Sequence, residues 1–259
     1  MFELLFPLYD MQFVATAISG YFLIVAYWMV GMSDKAITRE DLAKITDILT
    51  IRKYRVNNIV LFQGEIPPFV LFVYSGFVVS YTINNNGDEQ IIAFFSAGDV
   101  IPVEWIFNRS PVSLYYYRAF TGCELIALPR DKLLKQIEDD KELANKLVSQ
   151  FASSFIGATV HIHALEHSLS QEKLIKLLHY LVLRFGEVDK RKSDIYRIPF
   201  KLTHAQIASM IGIARESVAT EAVKLKKRGM LDYTNGFYTI NLPDLISSLG
   251  AEEFDHLTI

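Results

Sequence analysis

Cysteine is nearly absent: Cys123 is the only one in 259 residues. That scarcity excludes an intramolecular disulfide framework, a multi-cysteine zinc site and a cysteine-ligated iron–sulfur cluster within one chain. It also fits a reducing cytoplasm. An excess of charge is missing too. The 26 Lys+Arg against 29 Asp+Glu leave a net charge of −3, so no global basic field draws the chain onto nucleic acid, and any such contact must come from a local patch. Catalytic signatures are lacking: there is no phosphate-binding glycine loop, nucleophile elbow or paired His-Glu metal motif. Gly76 and Gly87 read as turn glycines, and the chain is not read as an enzyme or as the holder of a cofactor.

What is present is enough apolar residue for real cores, 51% of the chain, over a length that suits two modest domains. Met11 to Met32 carries no charge, and Asp34, Lys35 and Arg39 follow it. At about 20 residues such a run is long enough to span a bilayer. No basic stretch precedes it, which argues against a secretory signal. Three readings stand: a membrane anchor, a buried or oligomer-packing helix, or a stretch upstream of a translation start at Met29 or Met32. The third is favoured, because Met32-Ser33-Asp34 opens an ordinary soluble domain. The expected location is cytoplasmic, with membrane tethering only if 11–32 is translated and inserted.

The pattern along the chain is α+β. Residues 33–50 read as a short amphipathic helix, with Thr38 as N-cap and Asp41 three residues on. Tyr54 to Leu128 then alternates short apolar runs with turn residues, as in a sandwich or barrel. The runs include Ile59–Phe62, Val70–Tyr74, Phe77–Tyr81, Gln90–Phe95, Leu114–Tyr117 and Glu124–Leu128. Helical periodicity follows from about Lys141 to Leu165 and from about Gln171 to Phe185, and residues 187–198 read as a loop or short β-arm. The expected divisions are 1–32 (apolar segment), 33–138 (β-roll), 139–168 (long helix) and 169–250 (C-terminal unit).

Thr203 to Ile240 carries the most information. Thr203 can cap a first helix whose buried face is Ile207, Ala208 and Ile211, and Gly212 permits a sharp turn. A second helix buries Val218, Ala222 and Leu225 and shows Arg215, Glu216, Ser217, Thr220 and Lys224. Asn235-Gly236 between two apolar runs predicts a type I′ hairpin. Helix, turn, helix and hairpin in that order make a winged helix-turn-helix, whose second helix can enter the DNA major groove. Lys224, Lys226, Lys227 and Arg228 lie beside it.

The order of parts from about 38 to 245 resembles the CRP/FNR-type transcription regulators. The matching residues are Ser75-Gly76, Ala97-Gly98-Asp99, Ala119 to Leu125, Leu202-Thr203, Ile207-Ala208, Ile211-Gly212, Arg215-Glu216-Ser217-Val218, and Leu225 with Gly229-Met230-Leu231. The resemblance implies a cyclic-nucleotide-binding-like β-roll, a long dimerisation helix and a C-terminal winged helix. It also implies a homodimer on a pseudo-palindromic double-stranded operator, with RNA polymerase as a partner. Arg215 and Glu216 stand at family DNA contacts, and Thr220 replaces a residue that is often Arg. Ser217 and Lys224 are expected on phosphates, and Thr203 and His204 complete the DNA-binding set. Leu143, Leu147, Phe151, Phe155, Ala158 and Ile162 form an apolar stripe for the roll, the partner or both.

The roll departs from the family pattern. Members that bind a cyclic nucleotide use a Gly-Glu pair and an Arg-Ser or Arg-Thr pair. Those positions hold Pro102, Val103, Ser113 and Leu114 here, with Glu104, Arg109 or Arg118 available only after a register shift. Ordinary cyclic-AMP binding is therefore disfavoured, and the effector stays unknown. His161, His163 and His167 read as an interface or solvated cluster, although His163 and His167 have a metal-compatible i, i+4 spacing. Trp105, Phe107 and Tyr115–Tyr117 could line an apolar pocket but more often serve as core. The second reading of the whole chain is a ligand-sensing or protein-interaction module.

Overall fold

The computed structural model describes residues 37–45 and 49–248; the apolar run 11–32 lies outside them. Thr38 and Asp41 cap the first helix, α1 (Arg39–Ile45), reciprocally: Asp41 N–H donates to Thr38 Oγ1 and Thr38 N–H to Asp41 Oδ2. The helix expected over 33–50 does not extend to Thr50, which already belongs to a strand; residues 33–36 and 46–48 lie outside the described residues.

Eight strands follow: β1 (Thr50–Tyr54), β2 (Ile59–Leu61), β3 (Val70–Ser75), β4 (Val78–Ile83), β5 (Glu89–Phe95), β6 (Val100–Ile101), β7 (Tyr116–Ala119) and β8 (Cys123–Leu128). A short helix, α2 (Val103–Ile106), lies between β6 and β7. They form two antiparallel four-stranded sheets, β1-β8-β3-β6 and β2-β7-β4-β5. The expected strands are all present. The missed ones, β1 and β6, are respectively half exposed and two residues long, so neither gives a period-2 signal. Leu114 and Tyr115, predicted as strand, belong to the preceding loop. Between the sheets lie Leu71, Val73, Ile101, Tyr117, Ala119 and Leu125. Gly76 takes φ +79°, and a Cβ there would stand 2.8 Å from Cys123 Cβ, so the β3–β4 turn admits no side chain.

Helix α3 (Arg130–Asp139) leads to α4 (Lys141–Glu166), 26 residues long, whose first turn is capped by the Asp140 carboxylate accepting from Glu142 and Leu143 N–H. The apolar stripe of α4 divides. Leu143 and Leu147 are buried against the roll, whereas Phe155 (73% exposed) and Ile162 (58%) face outward with Val148 and Leu165. Gly157 lies under the Tyr180 ring, 3.1 Å from where a Cβ would be, and so lets the next helix approach closely.

That helix is α5 (Ser170–Phe185), separated from α4 by residues 167–169. Then come β9 (Glu187–Val188), β10 (Ile195–Arg197), α6 (His204–Ile211), α7 (Arg215–Lys227), β11 (Leu231–Thr234), β12 (Phe237–Asn241) and α8 (Leu242–Ser247). The four strands form one sheet, β11-β12-β10-β9, so residues 187–198 contribute two strands to the wing rather than a free loop.

The two halves meet in one continuous core. Phe200 stacks on Phe94 (5.1 Å, 13°) and makes edge contacts with Phe77, Phe120 and Phe185. Beside it lies a buried polar junction. The Asp99 carboxylate accepts from Arg184 (3.2 Å), Gln150 (2.8 Å) and its own turn's Ser96 N–H (2.6 Å), and Arg184 also donates to Ser154 of α4. The Arg184 and Asp99 side chains are 7% and 6% exposed. Removing one partner of such a pair strands a buried charge, at a cost of about 3–5 kcal/mol, while replacing both by apolar residues is often neutral. Arg184→Met should therefore lower unfolding free energy by about 3 kcal/mol in urea titrations, and Arg184→Met with Asp99→Leu by less than the single change. Equal losses in both variants would show that the ion pair is not the cause.

Candidate nucleic-acid interface

Local chemistry sets the helix-turn-helix. Thr203 caps α6 through a full capping box: its hydroxyl accepts from Gln206 N–H at 3.2 Å, and Gln206 Oε1 accepts from Thr203 N–H at 2.8 Å. Gly212 ends the helix in the left-handed region, φ +63°. Val218, Ala222 and Leu225 of α7 are fully buried against Ile207, Ile211 and Leu174. This pins the opposite face of α7 to solvent. At the wing tip, Asn235 and Gly236 have φ +53° and +85°, as a type I′ turn requires.

Arg215 and Glu216 open α7, both exposed, and no hydrogen bond or ion pair engages the guanidinium or the carboxylate among the described residues. Thr220 is exposed and its hydroxyl donates to the Glu216 carbonyl at 2.9 Å. Lys224 extends to Glu221 at 2.7 Å, and Ser217 is half-buried on the same flank. His204 packs edge-on to Tyr233 (5.5 Å), and its pKa is lowered by burial and then by the Arg215 charge. The structure thus gathers the seven expected residues on α6, its N-cap and α7, with Thr203 exposed and its hydroxyl committed to the cap, as that of Thr220 is to the Glu216 carbonyl.

The basic cluster is less available than its sequence suggested. Lys226 pairs with Asp232, Lys224 with Glu221, and Arg228 reaches Gln171. Cations missed by sequence reasoning lie at the wing instead: Arg197 (4.5 Å) and Lys201 (5.7 Å) stand over the Phe237 ring. Their common signal, a strand register that brings β10 beside β12, is not readable without the sheet.

In the roll, the segment between β6 and β7 is held by its own groups. The Glu104 carboxylate accepts from Leu114 N–H at 3.0 Å, the Ser113 hydroxyl donates to Tyr115 C=O at 2.8 Å, and Tyr117 fills the interior at 2% exposure. Arg118 pairs with Glu89 and lies over the Tyr81 ring. Neither Ser113 nor Leu114 is itself a cation, and the Leu114 N–H is taken by the Glu104 carboxylate. These residues do not fit a cyclic phosphate. Trp105 lies under Arg130 and Phe107 against Phe151, and both pack on the core that the roll shares with α4. His163 and His167 stack edge-on at 5.0 Å, with Lys176 beside His163 and Glu172 beside His167.

A cyclic-nucleotide-type roll, a long helix and a winged helix define a DNA-binding regulator. Comparison with known proteins agrees. The family model described as cyclic nucleotide-binding domain matches residues 51–140, and the Crp-like helix-turn-helix domain matches 172–246. The regulatory protein HlyX of Actinobacillus pleuropneumoniae is 23% identical over 80% of this chain and 85% of its own. The global nitrogen regulator of a Nostoc species is 23% identical over 85% and 98%. Among solved structures, FixK2 from Bradyrhizobium japonicum superposes with TM-score 0.65 at 22% identity, covering 80% of this chain and 99% of that one. The chain belongs to the CRP/FNR-type transcription regulators, and its function is regulation of transcription through a DNA-binding helix-turn-helix domain.

His161 of α4 ties that domain to the long helix. Its ring is buried, stacks on Tyr180 (5.6 Å, 11°), and donates from Nε2 to the Met210 carbonyl of α6 at 2.9 Å, with the Ile92 carbonyl of β5 also near. Burial lowers its pKa below the ordinary 6.5. The unfolded chain then binds the proton more tightly than the native one, so His161 contributes stability above about pH 6.5 that is lost as pH falls toward its native pKa. Thermal unfolding from pH 7.5 to 5 should show a fall in Tm that His161→Gln makes shallower. Identical slopes in both proteins would remove His161 as its source.

Proposed function

We propose that the chain is a homodimeric, sequence-specific regulator that reads a pseudo-palindromic operator with Arg215 and Glu216, and that its roll works without ordinary cyclic-AMP binding. The observation that carries the reading is the unengaged Arg215–Glu216 pair at the exposed start of α7. A guanidinium suits guanine O6/N7 bidentately, and a carboxylate accepts from cytosine N4. Ser217, Lys224, His204 and the wing cations Arg197 and Lys201 supply phosphate contacts that position without specifying. The exposed stripe Val148, Phe155, Ile162 and Leu165 of α4 supplies the face for a second copy. Two copies so joined can set recognition helices about 34 Å apart, one helical turn of DNA. RNA polymerase is the expected further partner, and the cytoplasm the expected location.

Selection from a random DNA pool at moderate salt should recover an inverted repeat. Arg215→Ala should weaken binding to that repeat by about 1–3 kcal/mol and leave nonspecific binding nearly unchanged. Unchanged specific affinity in the folded variant would sink the assignment. Phe155→Asp with Ile162→Asp should give monomers in sedimentation equilibrium and a large loss of operator affinity.

A further inference from the structure

Val223 is the one branched aliphatic exposed on α7, 42% accessible. It is not a core residue out of register, since its neighbour Ala222 is buried with Val218 and Leu225 on the inward face. Positions 216, 220, 223 and 227 follow i, i+4, i+7 and i+11, so Val223 shares one outward stripe with Glu216 and Thr220. Thr220 donates its hydroxyl to the Glu216 carbonyl at 2.9 Å. That bond uses the polar end of the side chain locally and leaves the γ-methyl for whatever docks. Thr220 and Val223, three residues apart, present methyl groups about 5–6 Å from each other. That separation spans one to two base steps of about 3.4 Å. The cations of α7 and the wing bring a polyanion to this face, and in the major groove the apolar feature such methyls can meet is the C5-methyl of thymine.

We propose that Thr220 and Val223 form an apolar shelf that reads thymine methyl groups in the half-site, next to the G·C pair taken by Arg215 and Glu216. This rests on α7 being the reading helix. It assigns Val223 as a specificity determinant and gives Thr220 a role through its methyl rather than its hydroxyl.

The test uses the full chain and its selected operator. Each thymine of the half-site is replaced singly by deoxyuridine, which removes only the 5-methyl, and binding is followed by fluorescence anisotropy at fixed salt. One or two positions should lose affinity by about three- to fourfold each, the size expected for one buried methyl. Val223→Ala should abolish that sensitivity at one position. Thr220→Ser, which keeps the hydroxyl and deletes the methyl, should abolish it at the other. Specific binding that is indifferent to every uridine replacement would overturn the methyl shelf and leave the Arg215–Glu216 reading intact. A sensitivity that persists unchanged in both variants would assign methyl reading to other residues and also overturn it. Failure to select any operator would overturn both readings together.

Discussion

The Phe200 ring, 1% exposed, is where the two halves of the chain become one body. It stands a few residues before α6, stacked on Phe94 of β5 and flanked by Phe77, Phe120 and Phe185. Each aromatic pair adds about 0.5–1.5 kcal/mol beyond burial of its area. Apolar burial is strong but non-directional. Direction comes from the polar bonds around the cluster. Asp99–Arg184 fixes α5 on the roll, and His161 ties α4 to α6. The Ser209 hydroxyl, between Glu89 C=O and Ile91 N–H, ties α6 to β5. A close-packed interior does not deform continuously, so α6, and with it α7, is held at a defined angle to the long helix.

A second set of contacts joins the roll to the winged helix. Tyr116 opens β7, directly after the segment held by Glu104 and Leu114. It stacks on Tyr81 (5.2 Å, 20°), Arg118 lies over Tyr81, and Arg118 pairs with Glu89. The Glu89 carbonyl receives Ser209 of α6. These contacts run without a break from the β6–β7 segment to the helix-turn-helix, across β7, β4 and β5 of one sheet.

How much of this was legible in the sequence depends on the range of the interaction. Features set within four residues were readable. Examples are the Thr203 cap, the Gly212 turn, the Asn235-Gly236 hairpin, the buried side of α7 and the break between α4 and α5. The roll was readable as a series of strands, but its edge β1 and the two-residue β6 were not, because pairing rather than pattern makes them strands. Of the interface, Arg215, Glu216 and Thr220 were found by helical spacing. Arg197 and Lys201 were missed because β10 joins β12 across more than 30 residues of chain. The partners of Lys226 and Arg228 in the basic run 224–228 were missed for the same reason. Asp232 and Gln171, which engage Lys226 and Arg228, are adjacent only after folding.

That last point bears on how such a protein discriminates. The chain is net acidic, and much of the positive charge on α7 is engaged internally, so each protomer brings few free cations to the phosphates. Nonspecific affinity, which grows with the number of neutralised phosphates and falls steeply with salt, is then small for one winged helix. In the proposed dimer, pairing through the outward stripe of α4 doubles the contacts at the paired site without enriching either domain in charge. Within the paired site, Glu216, Thr220 and Val223 set hydrogen-bonding and apolar groups between the cations Arg215 and Lys227 of α7, and base contacts can carry a larger share of what remains. A winged helix built this way gains little from DNA of the wrong sequence.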